Sequence, residues 1–375
     1  MRRAEITIAA ALFLITGAVN LEVPLYQTYA AAGGFGNGLT ALAFAAYVAG
    51  LLPVLLFLGG SSDRLGRKPV LLAGLACAAL ATTAMIVHPS IGVLFIARLL
   101  QGIGVGLGVG AGTAYLAERF GGAAGPGRAA ALVAVTTSLG FGGGALLTTA
   151  ALALQATRPL VPLSYPLHLL AAFGCFALAL SLPALPPQGG ALLRPPHYPP
   201  GTVPIGLSIA IAWSVTGLVI AIVPAQLARF GLGAWAGLAL FLVNGTGALR
   251  QPLARRLTAT QALRHGYWLL SVGYLLLLAG AWRGVLPLVL LGAATAGSAC
   301  YGFTYLGGLA AIAETTASDR ARAISGYFLC AYLGFGLPSI AIGFLADRIG
   351  IIAALAPFSA VVLAANGALF WWRRE

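Results

Sequence analysis

Long apolar runs alternate with short connectors rich in glycine, proline and arginine along the whole chain. About 20 apolar residues in a helix are enough to cross the ~30 Å hydrocarbon core of a bilayer. The pattern therefore predicts an all-α integral membrane protein with twelve transmembrane helices and no domain outside the membrane. The expected helices are 6–29, 39–59, 69–87, 91–117, 128–153, 163–182, 203–228, 234–254, 266–281, 285–312, 322–345 and 350–372.

The amino-acid composition supports a membrane protein and affects how the positive net charge is interpreted. The 375 residues are 60% hydrophobic and only 8% charged, whereas soluble proteins carry about 25% charged residues. A net charge of +13 would suggest nucleic-acid binding in a soluble protein. Here the basic residues lie in short connectors, so we expect the lipid bilayer as the partner and no nucleic acid.

The basic residues also predict the orientation in the membrane. Sixteen of the 21 lysines and arginines lie at the termini and in the connectors on one side, and four lie on the other side. Cytoplasmic loops carry the excess of positive charge, so both termini are expected in the cytoplasm. Arg98 belongs to neither set, because it lies inside predicted helix 4.

The two sets of six helices resemble each other. "TGAVNLEVP" at 16–24 matches "TGLVIAIVP" at 216–224, and "LGFG" occurs at 139–142 and again at 333–336. Six crossings return the chain to its starting side, so the copies are parallel repeats about an axis along the membrane normal, as in rocking transporters. The expected domains are a six-helix bundle at 1–182, a cytoplasmic linker at 183–202 and a second six-helix bundle at 203–375.

Polar residues present in only one repeat are the better functional candidates, because the fold does without them in the other repeat. Glu22 aligns with Ile222, and Arg98 aligns with an alanine near position 294. Each charge is expected about seven residues from the outer end of its helix, roughly 10 Å deep. Ionisable residues at such depth are costly and are candidate functional sites.

Burial favours the neutral form of a glutamate, and a nearby arginine favours the charged form. A Glu22–Arg98 pair is therefore a candidate for proton coupling, with Asn20 and Gln101 extending the polar network. The alternatives are a static ion pair that holds helices 1 and 4 together, or a Glu22 that is hydrated near the headgroups.

Three motifs resemble the major facilitator superfamily of membrane transporters. "GGSSDRLGRKP" at 59–69 is similar to the loop between helices 2 and 3 of that family, and "RLLQGIGVG" at 98–106 to its helix 4 motif. "GFLADRIG" at 343–350 fits its helix 11–12 junction. "LGFGGG" at 139–144 matches the antiporter motif of helix 5 only in part, because the proline is missing. The chain resembles the twelve-helix drug:proton antiporter-like group.

The connector between predicted helices 2 and 3 is expected to form an ion-pair cluster. Asp63 can cap a helix N-terminus, and Arg67 can bridge to Glu118 at the end of predicted helix 4. The resemblance implies a cytoplasmic latch between the two halves; the alternative is a positive-inside anchor. The expected latch residues are Gly59, Asp63, Arg64, Gly66, Arg67, Lys68 and Glu118.

The resemblance also implies that helices 1, 4, 7 and 10 line a central cavity. The polar and aromatic candidates for it are Asn20, Tyr26, Gln101, Tyr115, Trp213, Tyr301 and Tyr305. Tyr301 and Tyr305 are four residues apart and should share a helix face. Apart from Glu22 and Arg98 the cavity is uncharged, which favours a lipophilic or amphipathic substrate. For each aromatic residue, helix packing or a place in the interfacial belt is the alternative.

The sequence contains no P-loop, nucleophile elbow or HExxH motif, and its cysteines and histidines are scattered. We therefore expect no enzyme, no cofactor and no metal site. The leading hypothesis is a monomeric carrier of the bacterial cytoplasmic (inner) membrane that exports a small molecule in exchange for protons by alternating access. The alternatives are proton-coupled or facilitated uptake of a metabolite or siderophore-like compound, and a non-transporting membrane scaffold or receptor.

Overall fold

The computed structural model describes residues 3–122, 124–157, 159–189, 192–193, 195–315 and 320–372. These residues form helices and no β-strand. The first six long helices are α1 (Arg3–Leu21), α2 (Asn37–Phe57), α3 (Arg67–Val87), α4 (Ile91–Phe120), α5 (Gly125–Leu154) and α6 (Ser164–Leu180). The second six are α7 (Val203–Ala221), α8 (Ala236–Ala254), α9 (Ala259–Arg283), α10 (Leu286–Thr315), α11 (Arg320–Ile349) and α12 (Ile351–Trp372).

The lengths of these helices suit a bilayer. Within the described part of the chain, ten helices are long and apolar enough to cross a membrane. The other two, α6 and α8, have 17 and 19 residues. The predicted all-α membrane fold is confirmed, and the twelve segments are consistent with the predicted number of helices.

The chain divides into two compact units. Unit 1 comprises Met1–Glu22 and Ala46–Arg194, and unit 2 comprises Val23–Ala45 and Pro195–Glu375. The domain division at 1–182, 183–202 and 203–375 stays a prediction.

Proline divides the first helix of each repeat at the same place. α1 ends at Leu21, and a bend at Glu22 leads into a 3-10 turn (Val23–Leu25) and a further helix (Tyr26–Gly33). α7 ends at Ala221, and a short helix follows at Val223–Arg229. Pro24 and Pro224 have no N–H, and a proline ring clashes with the carbonyl four residues earlier. The apolar runs 6–29 and 203–228 did not indicate this interruption.

Small residues allow the closest helix contacts, in the same way within each unit. A Cβ atom on Gly144 of α5 would lie 2.0 Å from the carbonyl oxygen of Gly17 in α1. In unit 2, a Cβ atom on Gly217 of α7 would lie 2.2 Å from the carbonyl oxygen of Phe335 in α11. Membrane helices pack through such small residues because the backbones can then approach closely. The internal repeat is thus also a repeat of helix contacts.

α10 differs from its counterpart α4. Residues Ser298–Thr304 of α10 form a π-helix, whereas α4 is α-helical throughout. A π-helix leaves carbonyls outside the regular hydrogen-bond pattern and is frequent at functional sites. The Tyr327 hydroxyl donates to one of them, the carbonyl oxygen of Thr304, over 3.0 Å. Among the residues that the structure describes, a π-helix thus occurs in unit 2 alone, and Tyr301 lies within it.

The N-terminus of α2 is capped from the end of α11. Asp347 Oδ1 accepts hydrogen bonds from the backbone N–H and the side-chain amide of Asn37, at 2.8 and 3.0 Å. Asp347 Oδ2 accepts from the Gly38 N–H at 2.8 Å. A carboxylate at a helix N-terminus satisfies orphan amides and interacts favourably with the helix dipole. The "GFLADRIG" motif thus has a structural role within unit 2.

Candidate functional site

The end of α1 offers carbonyl groups to side chains of other helices in unit 1. The Ala18 carbonyl accepts a hydrogen bond from Gln101 Nε2 at 3.1 Å, and the Val19 carbonyl accepts one from Arg98. The Leu21 carbonyl accepts from Thr148 Oγ1 at 2.7 Å. The last four carbonyls of a helix have no partner within it, and Pro24 places this helix end inside the bundle. The polar groups therefore gather where the proline interrupts the helix.

Glu22, Gln101 and Arg98 form one buried network at this interruption. The side chains of all three are 0% exposed. Gln101 Nε2 donates to Glu22 Oε1 at 2.7 Å, and Gln101 Oε1 accepts from Arg98 Nη1 at 3.2 Å. The amide of Gln101 thus connects the predicted acidic and basic partners.

One oxygen of the Glu22 carboxyl group stands apart from this network. Glu22 Oε2 is buried and has no hydrogen-bond partner among the residues that the structure describes. A buried acceptor left unsatisfied costs about 1–3 kcal/mol, and more when it is charged. Protonation removes the charge and converts this oxygen into a potential donor. The site therefore has the chemistry to take up and release a proton.

Close packing of α2 on α4 brings an aromatic ring next to Arg98. A Cβ atom on Gly102 would lie 2.0 Å from the Tyr47 carbonyl oxygen, and one on Gly50 would lie 2.2 Å from the Leu99 carbonyl oxygen. This approach places the Tyr47 ring 5.1 Å from the Arg98 guanidinium. A cation over an aromatic face is stabilised more strongly when it is desolvated. Tyr47 was missed in the sequence, where it resembles any other aromatic residue of an apolar helix.

Asn20 ties two helices together. Its Nδ2 donates to the Phe141 carbonyl of α5 at 2.8 Å, and the side chain is 2% exposed. Tyr115 has a similar contact near the far end of α4, because its hydroxyl donates to the Pro183 carbonyl. Both side chains are thus engaged in interhelical or linker contacts. Their predicted place in a substrate cavity stays a prediction.

Arg67 is the centre of the ion-pair cluster in the α2–α3 connector. Its guanidinium pairs with Asp63 and donates to Ser62 Oγ at 2.9 Å. Arg67 Nε and Nη2 both contact Glu118 Oε1, each at 2.8 Å. Both nitrogens thus share one oxygen, rather than forming a fork with two. We call Ser62, Asp63, Arg67 and Glu118 the α2–α3 cluster.

The α2–α3 cluster is attached to the chain that follows α6. Gln188 Nε2 donates to Glu118 Oε1 at 3.0 Å, and the backbone N–H groups of Gln188 and Gly189 donate to the Asp63 carbonyl at 2.8 and 3.1 Å. Lys68 Nζ donates to the Leu180 carbonyl at 2.6 Å. All of these residues belong to unit 1. The participation of the linker in this cluster was not predicted from the sequence.

The remaining predicted latch residues lie in or beside the short helix of the connector. Asp63 lies in the first turn of a short helix (Ser61–Leu65), and Gly66 ends this helix with φ +91°, which glycine adopts most readily. Gly59 and Arg64 are exposed.

The predicted aromatic residues of unit 2 belong to a larger cluster. The Trp213 ring lies 5.6 Å from Tyr301 and 5.0 Å from Tyr332, measured between ring centroids. Tyr305 contacts Phe328 at 6.0 Å, and Phe328 contacts Tyr332 at 6.4 Å. Tyr301 and Tyr305 therefore have no common ring partner, and they are connected through the rings of α11.

Sequence reasoning missed the α11 members of this cluster. Phe328, Tyr332 and Phe335 are spaced at i, i+4 and i+7, so they share a helix face, and this spacing was the signal that could have found them. Phe335 also contacts Phe44 of α2, with ring centroids 4.8 Å apart. Tyr26 is 1% exposed and also lies in unit 2.

Among the described residues, no group of three or more histidine, cysteine, aspartate and glutamate side chains could hold a metal ion.

The helical fold, with its long apolar helices, is that of a multi-pass membrane protein. The sequence model of the Major Facilitator Superfamily matches residues 8–282. The chain therefore belongs to this family, and the predicted resemblance is confirmed. The family match shows a transporter rather than an enzyme.

Two curated proteins match short stretches of the chain. Multidrug resistance protein MdtL of Shewanella oneidensis is 42% identical over 63 residues, which are 17% of this chain and 16% of that protein. Multidrug resistance protein MdtM of Salmonella typhimurium is 34% identical over 93 residues, which are 25% of this chain and 22% of that protein. The matches thus span less than a quarter of either relative.

A solved structure matches almost the whole chain. The xylose transporter XylE from E. coli, in a partially occluded inward-open conformation, has a TM-score of 0.73 at 15% identity. The match covers 99% of this chain and 97% of that chain. At this identity the likeness shows the fold.

Proposed function

We propose that this transporter exports small lipophilic or amphipathic molecules in exchange for protons, and that Glu22 carries the proton. The observation that carries the proposal is the Glu22 carboxyl group, which is fully buried with one oxygen bound to Gln101 and the other without a hydrogen-bond partner among the described residues. The partial matches to two multidrug resistance proteins support export rather than uptake.

The network suits a carboxyl group that changes its protonation state. Burial disfavours the charged carboxylate, whereas the nearby Arg98 charge favours it. Gln101 can donate to Glu22 in either state, so it holds the carboxyl group in place during the change. In this proposal, protonation on one side of the membrane neutralises the Glu22 carboxyl group and leaves Arg98 as the charge of the site. Loss of the proton on the other side restores the interaction with Arg98.

The proposal also includes the setting of the carrier. The excess of basic residues at the termini and in alternate connectors supports cytoplasmic ends in a bacterial inner membrane. Alternating access in repeat-built carriers moves one bundle against the other. We assign the α2–α3 cluster to the latch that stabilises one of the two states, and we take the carrier to be monomeric.

The test is transport by purified protein in proteoliposomes. Ethidium is a suitable first probe, because it is amphipathic and permanently charged, so a pH gradient alone cannot trap it. The liposomes contain DNA to report ethidium entry, and valinomycin with equal potassium on both sides holds the membrane potential at zero. We expect an acidic interior to drive ethidium inward through the wild-type protein, because protons leave in exchange.

Glu22→Gln separates coupling from movement of the carrier. This variant keeps the size of the side chain but cannot carry the proton. We expect it to lose gradient-driven entry while it retains exchange of external for internal ethidium. Unchanged gradient-driven entry in Glu22→Gln would refute the proposed role of Glu22. Entry driven by an alkaline interior would indicate proton-coupled uptake, and a protein that moves neither ethidium nor compounds selected by thermal shift would be a scaffold or receptor.

A further inference from the structure

The indole N–H of Trp213 has no assigned role. The side chain is 7% exposed, and Nε1 is buried without a hydrogen-bond partner among the described residues. Tryptophan Nε1 can only donate, and buried tryptophans usually find an acceptor. A buried donor without an acceptor destabilises the folded protein. The chain therefore retains an unfavourable group at this position.

The repeat indicates that this position can carry an aromatic ring without the N–H, because its counterpart in the first repeat is a phenylalanine, which is 40% exposed. Aligning Thr16 with Thr216 places Phe13 at the position that corresponds to Trp213. Phe13 packs against α5, where a Cβ atom on Gly143 would lie 3.3 Å from the Phe13 ring. Phenylalanine has no donor. The N–H thus occurs only in the second repeat, as the Glu22 carboxyl group occurs only in the first.

Three aromatic rings of unit 2 lie around the Trp213 ring. Tyr332 stands nearly perpendicular to the Trp213 ring, at 87°, and Tyr301 and Phe335 are inclined at 47° and 66°. Such inclined rings are favoured contacts of aromatic side chains, and the same preference applies to a flat aromatic ligand that packs against them. An N–H directed at a ring face is only a weak bond. The site therefore combines apolar walls with one unused donor.

We propose that Trp213 determines substrate specificity by donating to an acceptor oxygen, such as a carbonyl, on a flat apolar molecule. The proposal rests on the transport function proposed above and narrows its substrate class. The body of the molecule packs against Tyr301 and Tyr332, and its oxygen accepts from Trp213 Nε1. A site that hydrogen-bonds its ligand rejects an analogue without the bonding group, because a buried polar group is then left unpaired.

The test compares two probes that differ by one oxygen. 9-Fluorenone has a carbonyl group where fluorene has a methylene group, and both molecules are flat tricycles. Binding to the full chain in detergent is measured by equilibrium dialysis, with empty micelles subtracted. We expect the wild-type protein to bind 9-fluorenone about tenfold more tightly than fluorene, a difference of about 1.4 kcal/mol.

Trp213→Phe removes the donor and introduces the residue that the first repeat has. It should abolish the preference for 9-fluorenone, which is about tenfold or 1.4 kcal/mol. The affinity for fluorene should stay within about twofold, because fluorene has no oxygen that could accept from the N–H. Tyr332→Leu should weaken both probes alike. Trp282→Phe, at an exposed tryptophan of α9, serves as a matched control and should change neither.

The inference is overturned if the wild-type protein binds neither probe, binds both equally, or keeps its preference after Trp213→Phe. If Trp213→Phe keeps the preference but lowers the thermal stability, the N–H instead stabilises the protein by bonding to the Tyr332 ring. The dialysis measurement needs no proton gradient, so its result is separate from the ethidium experiment. Failed proton-driven flux with an intact 9-fluorenone preference would overturn the proposed function alone.

Discussion

Gln101 donates a hydrogen bond to Glu22 over 2.7 Å, from the same side chain that accepts one from Arg98. Glu22 and Arg98 are therefore connected through a neutral amide. An amide can donate to a carboxylate and accept from a guanidinium at the same time. In the proposed mechanism, this arrangement keeps both side chains in place when the Glu22 carboxyl group gains or loses a proton.

Replacing Gln101 by leucine should impair coupling and stability together. Glu22 loses its donor and Arg98 loses an acceptor, so the free energy of unfolding should fall by about 1–3 kcal/mol. Gradient-driven ethidium entry should fall about tenfold, which corresponds to an increase of about 1.4 kcal/mol in the activation free energy of transport. Proteoliposome flux and thermal unfolding in detergent measure the two effects.

Gln226→Leu is the matched control for this change. Gln226 is also a buried glutamine, and its Nε2 donates to the Ala281 carbonyl at 2.9 Å. It belongs to unit 2, whereas the Glu22 network belongs to unit 1. We expect a similar loss of stability with flux close to wild type. Equal loss of flux in both variants would mean that Gln101 acts through folding alone.

Arg67→Gln should destabilise the protein by about 1–2 kcal/mol. Removing one partner of a buried ion pair costs about 3–5 kcal/mol, but Asp63 and Glu118 are 18% and 27% exposed, and water screens part of this loss. Thermal unfolding at low and high salt measures the change, and high salt should reduce it. Arg64→Gln, at the exposed neighbouring arginine, should have almost no effect. An equal effect of both variants would exclude a special role of the α2–α3 cluster.

The apolar pattern predicted the all-α membrane fold, because a helix that crosses lipid must satisfy its own backbone hydrogen bonds. The repeat singled out Glu22 and Arg98, because a charge found in only one copy is not needed by the fold. The sequence could not predict that Gln101 connects them or that Gln188 reaches Glu118, since these contacts depend on side-chain directions between distant segments. Pro24 was visible in the sequence, but the sequence did not indicate that the Ala18 and Val19 carbonyls of the helix before it accept hydrogen bonds from Gln101 and Arg98.

Pro24→Ala should therefore impair transport, although it improves the helix propensity of α1. Alanine provides the missing N–H, so α1 can continue, and its carbonyls at Ala18 and Val19 then bond within the helix. We expect gradient-driven ethidium entry to fall at least about tenfold, or about 1.4 kcal/mol.

Pro224→Ala makes the same change in the second repeat. There the interruption lies at Ile222, where no charge is present. We expect this variant to keep flux within about twofold of wild type, less than 1 kcal/mol. Comparable loss of flux in both proline variants would show that the helix interruption serves movement of the helices in both repeats. A loss confined to Pro24→Ala would support its role in holding the Glu22 network.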